Sequence, residues 1–462
     1  MSGPTGSITA GVASLIADTP RSAVPPAALE AARRHVLDTF GVTLAGSAEP
    51  VVAAALDVLA HPPSAGGAAL VGLGRWAGPV DAALVNAVSA HAIDYDDVHS
   101  HVRGHPSACV LPAALAAAEQ AGLDGAGLLD AYVVGVEVAG RVGRGFDASH
   151  ARQGFHSTST LGVLGAVAAA ARAFGLTAGQ TAHALGIAAS SAGGLRSNFG
   201  TMTKPLHAGF AARDGVAAAL LARRGVTATE TVLDGPGSFT RVYCPDGGEP
   251  DAALGPDGPW EILVPGIAIK KYPCCNRGHR TADAVLDLVR NLDLRADDIA
   301  EVRVRMPAGQ VDGAGRVGPM TFPRPASGLE AKFSMQYVVA AAVLHRALPM
   351  AAFTDEGVRD RRIAGLIGRV RPVNRPDGDD RVEVVITERS GAVHARSVRF
   401  TRGDPRGGAP LPWDELLVKY RDCAVPVLGE DATARSAALV ERLPALPDLR
   451  ELTGLLAGTT AG

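Results

Sequence analysis

Charge is scarce in this chain, and several other features are missing outright; together these absences exclude whole classes of protein. Asp, Glu, Lys and Arg make up 20% of the 462 residues, and 44 basic against 47 acidic side chains leave a net charge of -3. Neither nucleic acid nor an acidic membrane surface is therefore an expected partner. The five cysteines (Cys109, Cys244, Cys274, Cys275 and Cys423) are an odd number without the spacing of a disulfide scaffold. They are expected as free thiols in a reducing compartment, the cytoplasm. Residues 1–17 lack the basic start and continuous apolar stretch of a signal peptide, and later apolar runs are short, Ala-rich or broken by Arg, as at Arg172, so no membrane span is expected. Cys-x-x-Cys is absent, and so is a His-x-x-x-His pair on a predicted helix. No Walker loop occurs, and Gly72/Gly74 and Gly143/Gly145 do not complete a dinucleotide fingerprint, so a nucleotide cofactor has no support.

What is present is helix. Apolar residues recur every three or four positions over 27–44, 80–92, 111–121, 125–142, 160–174, 177–192 and 206–224. Thr177 with Gln180 reads as a capping box, and Gly175 as the stop before it. The texture changes near Ile267: 302–306 alternates like a strand, 381–387 and 394–400 read as a hairpin about Ser390-Gly391, and 288–294 and 333–348 read as helices. After the Gly- and Pro-rich loop 403–412, residues 413–422 and 432–443 are helical again. The fold class is thus mainly α: a large all-α domain (1–267 plus 403–462) with a smaller inserted α+β lid domain (268–402). A chain of this length exceeds one ordinary core, and two domains usually leave a cleft between them.

Four islands of ionisable residues interrupt this apolar background. The first runs from Asp94-Tyr95-Asp96-Asp97 through His99, His101 and Arg103 to His105-Pro106-Ser107. Three aspartates so close need cations or donors nearby, and the helix opening at Pro106 aims its amino end at the same space. The second is His156-Ser157, ahead of another apolar helix. In the third, Lys204 and His207 stand three apart, close enough to share a face of a first turn, with Gly200 and Gly209 suggesting close backbone approach. The fourth, 270–280, carries Lys270, Lys271, Arg277, Arg280 and His279, with Cys274-Cys275 as small core residues. Such cations converge when they enclose a small anion. A divalent metal on Asp94, Asp97, His99 and His101, hence a metal-dependent hydrolase, is the rival from another class. The lysines and arginines of the other islands oppose it.

At these residues the chain resembles the MmgE/PrpD family, which includes 2-methylcitrate dehydratase, cis-aconitate decarboxylase and iminodisuccinate epimerase. The matching stretches are His91-Ala92-Ile93-Asp94-Tyr95-Asp96-Asp97, His105-Pro106-Ser107, Lys204-Pro205-Leu206-His207-Ala208-Gly209, Lys271-Tyr272-Pro273-Cys274 with His279, and Glu330-Ala331-Lys332-Phe333-Ser334-Met335-Gln336-Tyr337. The resemblance implies a helical domain with an α+β lid, a homodimer, and a cofactor-free, metal-free site between the domains. It places catalytic roles on Asp94, His105, His156, Lys204 and His279; His101, His207, Lys271, Arg277 and Arg280 are then the expected substrate-binding side chains. Two departures stand out: Val98 replaces the Thr of decarboxylase-like members, and no tyrosine lies near 319–321.

The chemistry expected is proton abstraction beside a carboxylate of a small polycarboxylate, with fixed cations holding the developing charge. His105 or His279 is the expected base, the other or His156 the acid, and Asp94 the group that fixes a histidine tautomer. A hydro-lyase of dehydratase type ranks first, an epimerase of a substrate such as iminodisuccinate second, and a decarboxylase after them.

Overall fold

Helices follow the three-to-four spacing of apolar residues throughout the first half. The computed structural model describes residues 7–59, 67–251, 258–376, 378–408 and 410–458. Its helices include Pro26–Gly46, Pro79–Ala92, Pro106–Ala121, Gly125–Arg144, Gly162–Phe174, Ala178–Ala189 and Thr203–Arg223. Proline opens three of these, at a position where its missing N–H has no intrahelical partner to lose. Thr177 and Gln180 form both halves of the capping box, and Gly175 ends the preceding helix at φ 65°. The last of these helices starts before the expected residue 206, so Lys204 lies inside its first turn.

Small residues set how closely the helices pack. A Cβ on Gly209 would fall 2.5 Å from Val88 Cγ2, so Thr203–Arg223 rests against Pro79–Ala92 backbone to side chain. Lys204, near the start of the first, thereby meets Asp94, just past the end of the second.

Buried apolar side chains form two main cores. One gathers residues from Ile8 to Ile269 and is rejoined by Leu411 to Leu456; the other runs from Tyr272 to Ile386. The second core lies under a four-stranded sheet in the order Val370–Asn374, Ile299–Met306, Val382–Glu388, Val393–Val398, the first pair parallel and the others antiparallel. Val302, Val304 and Met306 alternate inward, facing Val285 and Val289 of helix His279–Asn291 and Val338 and Ala342 of Met335–His345. The expected helix over 288–294 is thus the end of a longer one that stops at Asn291. Strand Val370–Asn374 was not expected, because it is short and contains Pro372; at a sheet edge that proline forfeits no central ladder bond. Residues 413–443, read as two helices, form one run, Trp413–Glu441, interrupted at Gly429 (φ 77°), that packs against Pro26–Gly46.

Where the chain passes from one core to the other, Ile267–Ala268 pairs antiparallel with Val98–His99. This two-residue ladder carries the 270–280 island to the acidic loop. All five cysteines are buried free thiols. Among the described residues no single helix is long and apolar enough to cross a membrane.

Candidate active site

Four chain segments bring Asp94, His105, His156 and Lys204 to the site, each at a helix terminus. Asp94 follows the C-terminus of Pro79–Ala92, His105 sits at the N-cap of Pro106–Ala121, and Lys204 occupies the first turn of Thr203–Arg223. His156 precedes the short helix Ser157–Thr160, which is tied to the His105 loop: the His105 backbone N–H donates to Thr158 Oγ1 at 3.2 Å, and a Cβ on Gly104 would meet that same oxygen at 2.7 Å. Asp94, His105, His156 and Lys204 all line one cavity of about 550 Å³ at the junction of the two cores.

Asp94 is the electrostatic centre. Its backbone takes the left-handed conformation at φ 55°, which costs an aspartate about 1 kcal/mol. Its Oδ1 accepts from Lys204 Nζ at 2.7 Å and from Lys270 Nζ at 3.1 Å, all three groups being buried. Burial alone would raise the Asp94 carboxyl, yet the two ammonium groups hold it well below the usual carboxylate range. The Lys204 ammonium also stands 5.2 Å from the Phe333 ring centroid and 5.5 Å from that of Phe199. Of the two ammonium groups, that of Lys204 lines the cavity and that of Lys270 stands behind Asp94.

The histidines are buried and neutral. The Nδ1–H of His105 donates to the Asp97 carbonyl at 2.9 Å, which leaves Nε2 with its lone pair. Burial lowers this imidazole to about 3, against the opposing pull of Asp96, whose Oδ2 lies 3.4 Å away. His91 Nδ1 pairs with Asp96 Oδ2 at 2.7 Å, and its ring lies 4.8 Å from that of His105 and 5.7 Å from that of His156. His156 and His207 share one hydrogen bond between their Nδ1 atoms at 3.0 Å, so one ring carries the proton there. Burial lowers both, His207 to about 4, and nearby Lys204 lowers them further.

Farther out, the lining contains Arg103, Arg196, Arg277 and Arg280. Their recorded hydrogen bonds go to neutral groups: Phe146 and Ala151 carbonyls for the first two, Gln310 for Arg277 and the Asp380 carbonyl for Arg280. Burial lowers Arg196 and Arg280, and Arg277 lowers both further, while Asp380 and Asp404, which also line the hollow, pull Arg280 back up.

Several sequence expectations need correction. Asp94 grips lysines, and the carboxylate that fixes histidines is Asp96. His101 bonds Glu261 Oε2 at 2.8 Å and lies outside the lining. Lys271 pairs with Glu415 at 2.9 Å; in an extended segment neighbouring side chains point apart, so Lys270 takes the place expected of it. His207 stands behind His156. His279 is also set back from the cavity, donating Nε2–H to the Cys274 carbonyl at 3.1 Å, and burial lowers it to about 3. Arg277 and Arg280 do line the hollow. Lys270, His91, Asp96, Arg103 and Arg196 were missed as site residues, although all but Arg196 lie within the quoted islands or motifs.

The metal set expected as the rival does not assemble. Asp97 accepts from Ser107 Oγ at the start of Pro106–Ala121, and His99 and His101 both turn to Glu261. Instead His91, Asp94, Asp96 and His105 bring one donor atom each within 4.8 Å. Asp94, however, already bonds two ammonium groups, and a dication beside them would meet like charge at hydrogen-bond range. Exhaustive dialysis against a chelator is expected to leave turnover unchanged, with elemental analysis before and after as the check.

Buried histidines and the Lys204 ammonium thus gather around one hollow, at helix ends. The MmgE/PrpD N-terminal domain profile matches residues 11–250 and the C-terminal domain profile residues 272–445, and the chain belongs to the MmgE/PrpD family. Its relatives include the cis-aconitate decarboxylases of Mus musculus and Homo sapiens, each 32% identical over 82% of this chain and covering 79% and 80% of those proteins. A cis-aconitate decarboxylase of Aspergillus terreus is 28% identical over 94% of this chain and 92% of its own length. The family is one of enzymes, and these relatives are lyases by name.

Proposed function

We propose that the protein is a lyase that moves a proton at the carbon beside a carboxylate of a small polycarboxylate. The observation that carries this reading is the placement, in one cavity, of the Lys204–Asp94 pair, backed by Lys270, beside His105, whose Nδ1–H is committed to the Asp97 carbonyl. A carboxylate seated at Lys204 gains negative charge as its α-carbon loses a proton to His105 Nε2, and the fixed ammonium stabilises that charge in a dry site. Arg103, Arg196, Arg277 and Arg280 supply the counter-charge for the remaining carboxylates.

Two outcomes share this machinery. The relatives' names favour decarboxylation of a cis-aconitate-like acid: carbon dioxide leaves, its bonding electron pair stays on carbon, and that carbon takes a proton relayed from solvent through a histidine. Val98 and Pro319, both in the lining, favour dehydration as the second reading, because the Thr and Tyr of decarboxylase-like members are missing from these stretches. In dehydration the departing hydroxide takes its proton from His156. His207 serves that step when it donates to His156 Nδ1, since the His156 proton then sits on Nε2.

Incubation with cis-aconitate, citrate, 2-methylcitrate and iminodisuccinate in deuterated water, followed by NMR, tests the reading. Loss of carbon dioxide with deuterium at the carbon that held it, or loss of water, is expected for at least one. Deuterium uptake without elimination would mean an epimerase, and inertness toward all four would overturn the proposal.

A further inference from the structure

Three consecutive backbone carbonyls at the end of helix Pro79–Ala92 each receive a buried lysine. Lys332 Nζ donates to the Ile93 carbonyl at 2.9 Å, Lys270 Nζ to that of Asp94 at 2.7 Å, and Lys419 Nζ to that of Tyr95 at 3.0 Å. Lys419 also donates to the Lys270 carbonyl at 2.9 Å, so it ties the two strands of the arrangement together. The lysines come from distant places: the crossing between the cores, the loop before Met335–His345, and the returning helix Trp413–Glu441.

Burying three ammonium groups is unfavourable unless each is well compensated. Lys419 has Asp38 Oδ1 at 2.6 Å and the Tyr95 ring centroid at 3.9 Å, but the recorded hydrogen bond of Lys332 goes to a neutral carbonyl. The negative end of the helix dipole favours cations there, and carbonyls past the last turn lack intrahelical partners. What the three bonds enclose is Asp94, held in the left-handed conformation between its clamped neighbours.

We propose that Lys332 and Lys419 are positioning residues: with Lys270 they lock the 93–95 turn, so that Asp94 presents its carboxylate to Lys204 and docking of the second core sets the geometry of the first. This rests on the proposed function for its kinetic part alone. The test substitutes Lys332→Met and Lys419→Met separately in the full chain, with a crystal structure of each and kinetics on whichever polycarboxylate the wild type consumes. Asp94 is expected to relax to negative φ and part from Lys204. The kcat is expected to fall about 10²-fold from the misplaced cation, while KM stays within about threefold because the outer guanidinium groups are untouched. A merely structural lysine would lower thermal stability and leave the Asp94 geometry and kcat alone, and that result in both variants overturns the clamp. If Lys419→Met does not fold, Asp38→Asn/Lys419→Met, which removes both buried charges together, replaces it. Should the wild type consume no polycarboxylate, the functional reading fails and the crystal structures still decide the clamp.

Discussion

Lys204→Met is expected to reduce kcat about 10²–10³-fold, the loss that follows removal of one preorganised charge from a transition state. The argument is electrostatic. In the resting protein Lys204 already bonds Asp94, so its ammonium is oriented before any substrate arrives and no reorganisation is needed when charge develops. Methionine keeps most of the length and can pack against Phe199 and Phe333, the rings that now flank the ammonium. Asp94 keeps Lys270, which donates to both its carboxylate and its carbonyl, so the buried charge stays compensated and the destabilisation is on the order of 1–2 kcal/mol. Rapid-quench or continuous assays give kcat; thermal unfolding gives stability. Activity within a few-fold of the parent would remove Lys204 from the centre of the mechanism.

His105→Gln is expected to lose about 10²–10⁴-fold in kcat/KM, the range for a positioned proton-transfer group. The pH profile gives this expectation its sign. A base works when neutral, and its neutral fraction falls as pH drops through its pKa. Burial lowers His105 from 6.5 to about 3, so the acid limb of kcat/KM, which reports the free enzyme, lies well below 6.5. A bound polycarboxylate favours the imidazolium and raises that pKa, so the acid limb of kcat lies above that of kcat/KM. His105→Gln should erase both limbs; a limb unchanged in the variant assigns the proton to another group, with His91 first in line because its Nε2 is buried and unpartnered among the described residues.

The sequence made the scaffold legible where pattern and chemistry agree. Helical spacing, the Thr177 capping box and the Gly175 stop were all readable, and Gly209 signalled the close approach that brings Lys204 to Asp94. Side-chain direction in the irregular segments was not readable. Lys270 and Lys271 are adjacent and chemically identical, and what separates them is the Val98–His99 ladder, which aims one inward and leaves the other to Glu415. His101 looked like a ligand because nothing near it in sequence reveals Glu261, which lies far along the chain and takes His99, His101 and Arg144 together. His279 sat in the most basic island, yet as the first residue of an amphipathic helix it faces the second core. In each case a partner remote in sequence decided the orientation, and local spacing carries no information about it.

The lysine at position 419 bonds backbone laid down more than three hundred residues earlier. A nascent chain emerging from the ribosome therefore holds its first aspartate island, its histidines and Lys204 long before their geometry can be finished. If Lys419 clamps the 93–95 turn as proposed, a product truncated before the returning helix keeps every one of those side chains and turns over more slowly than the full chain.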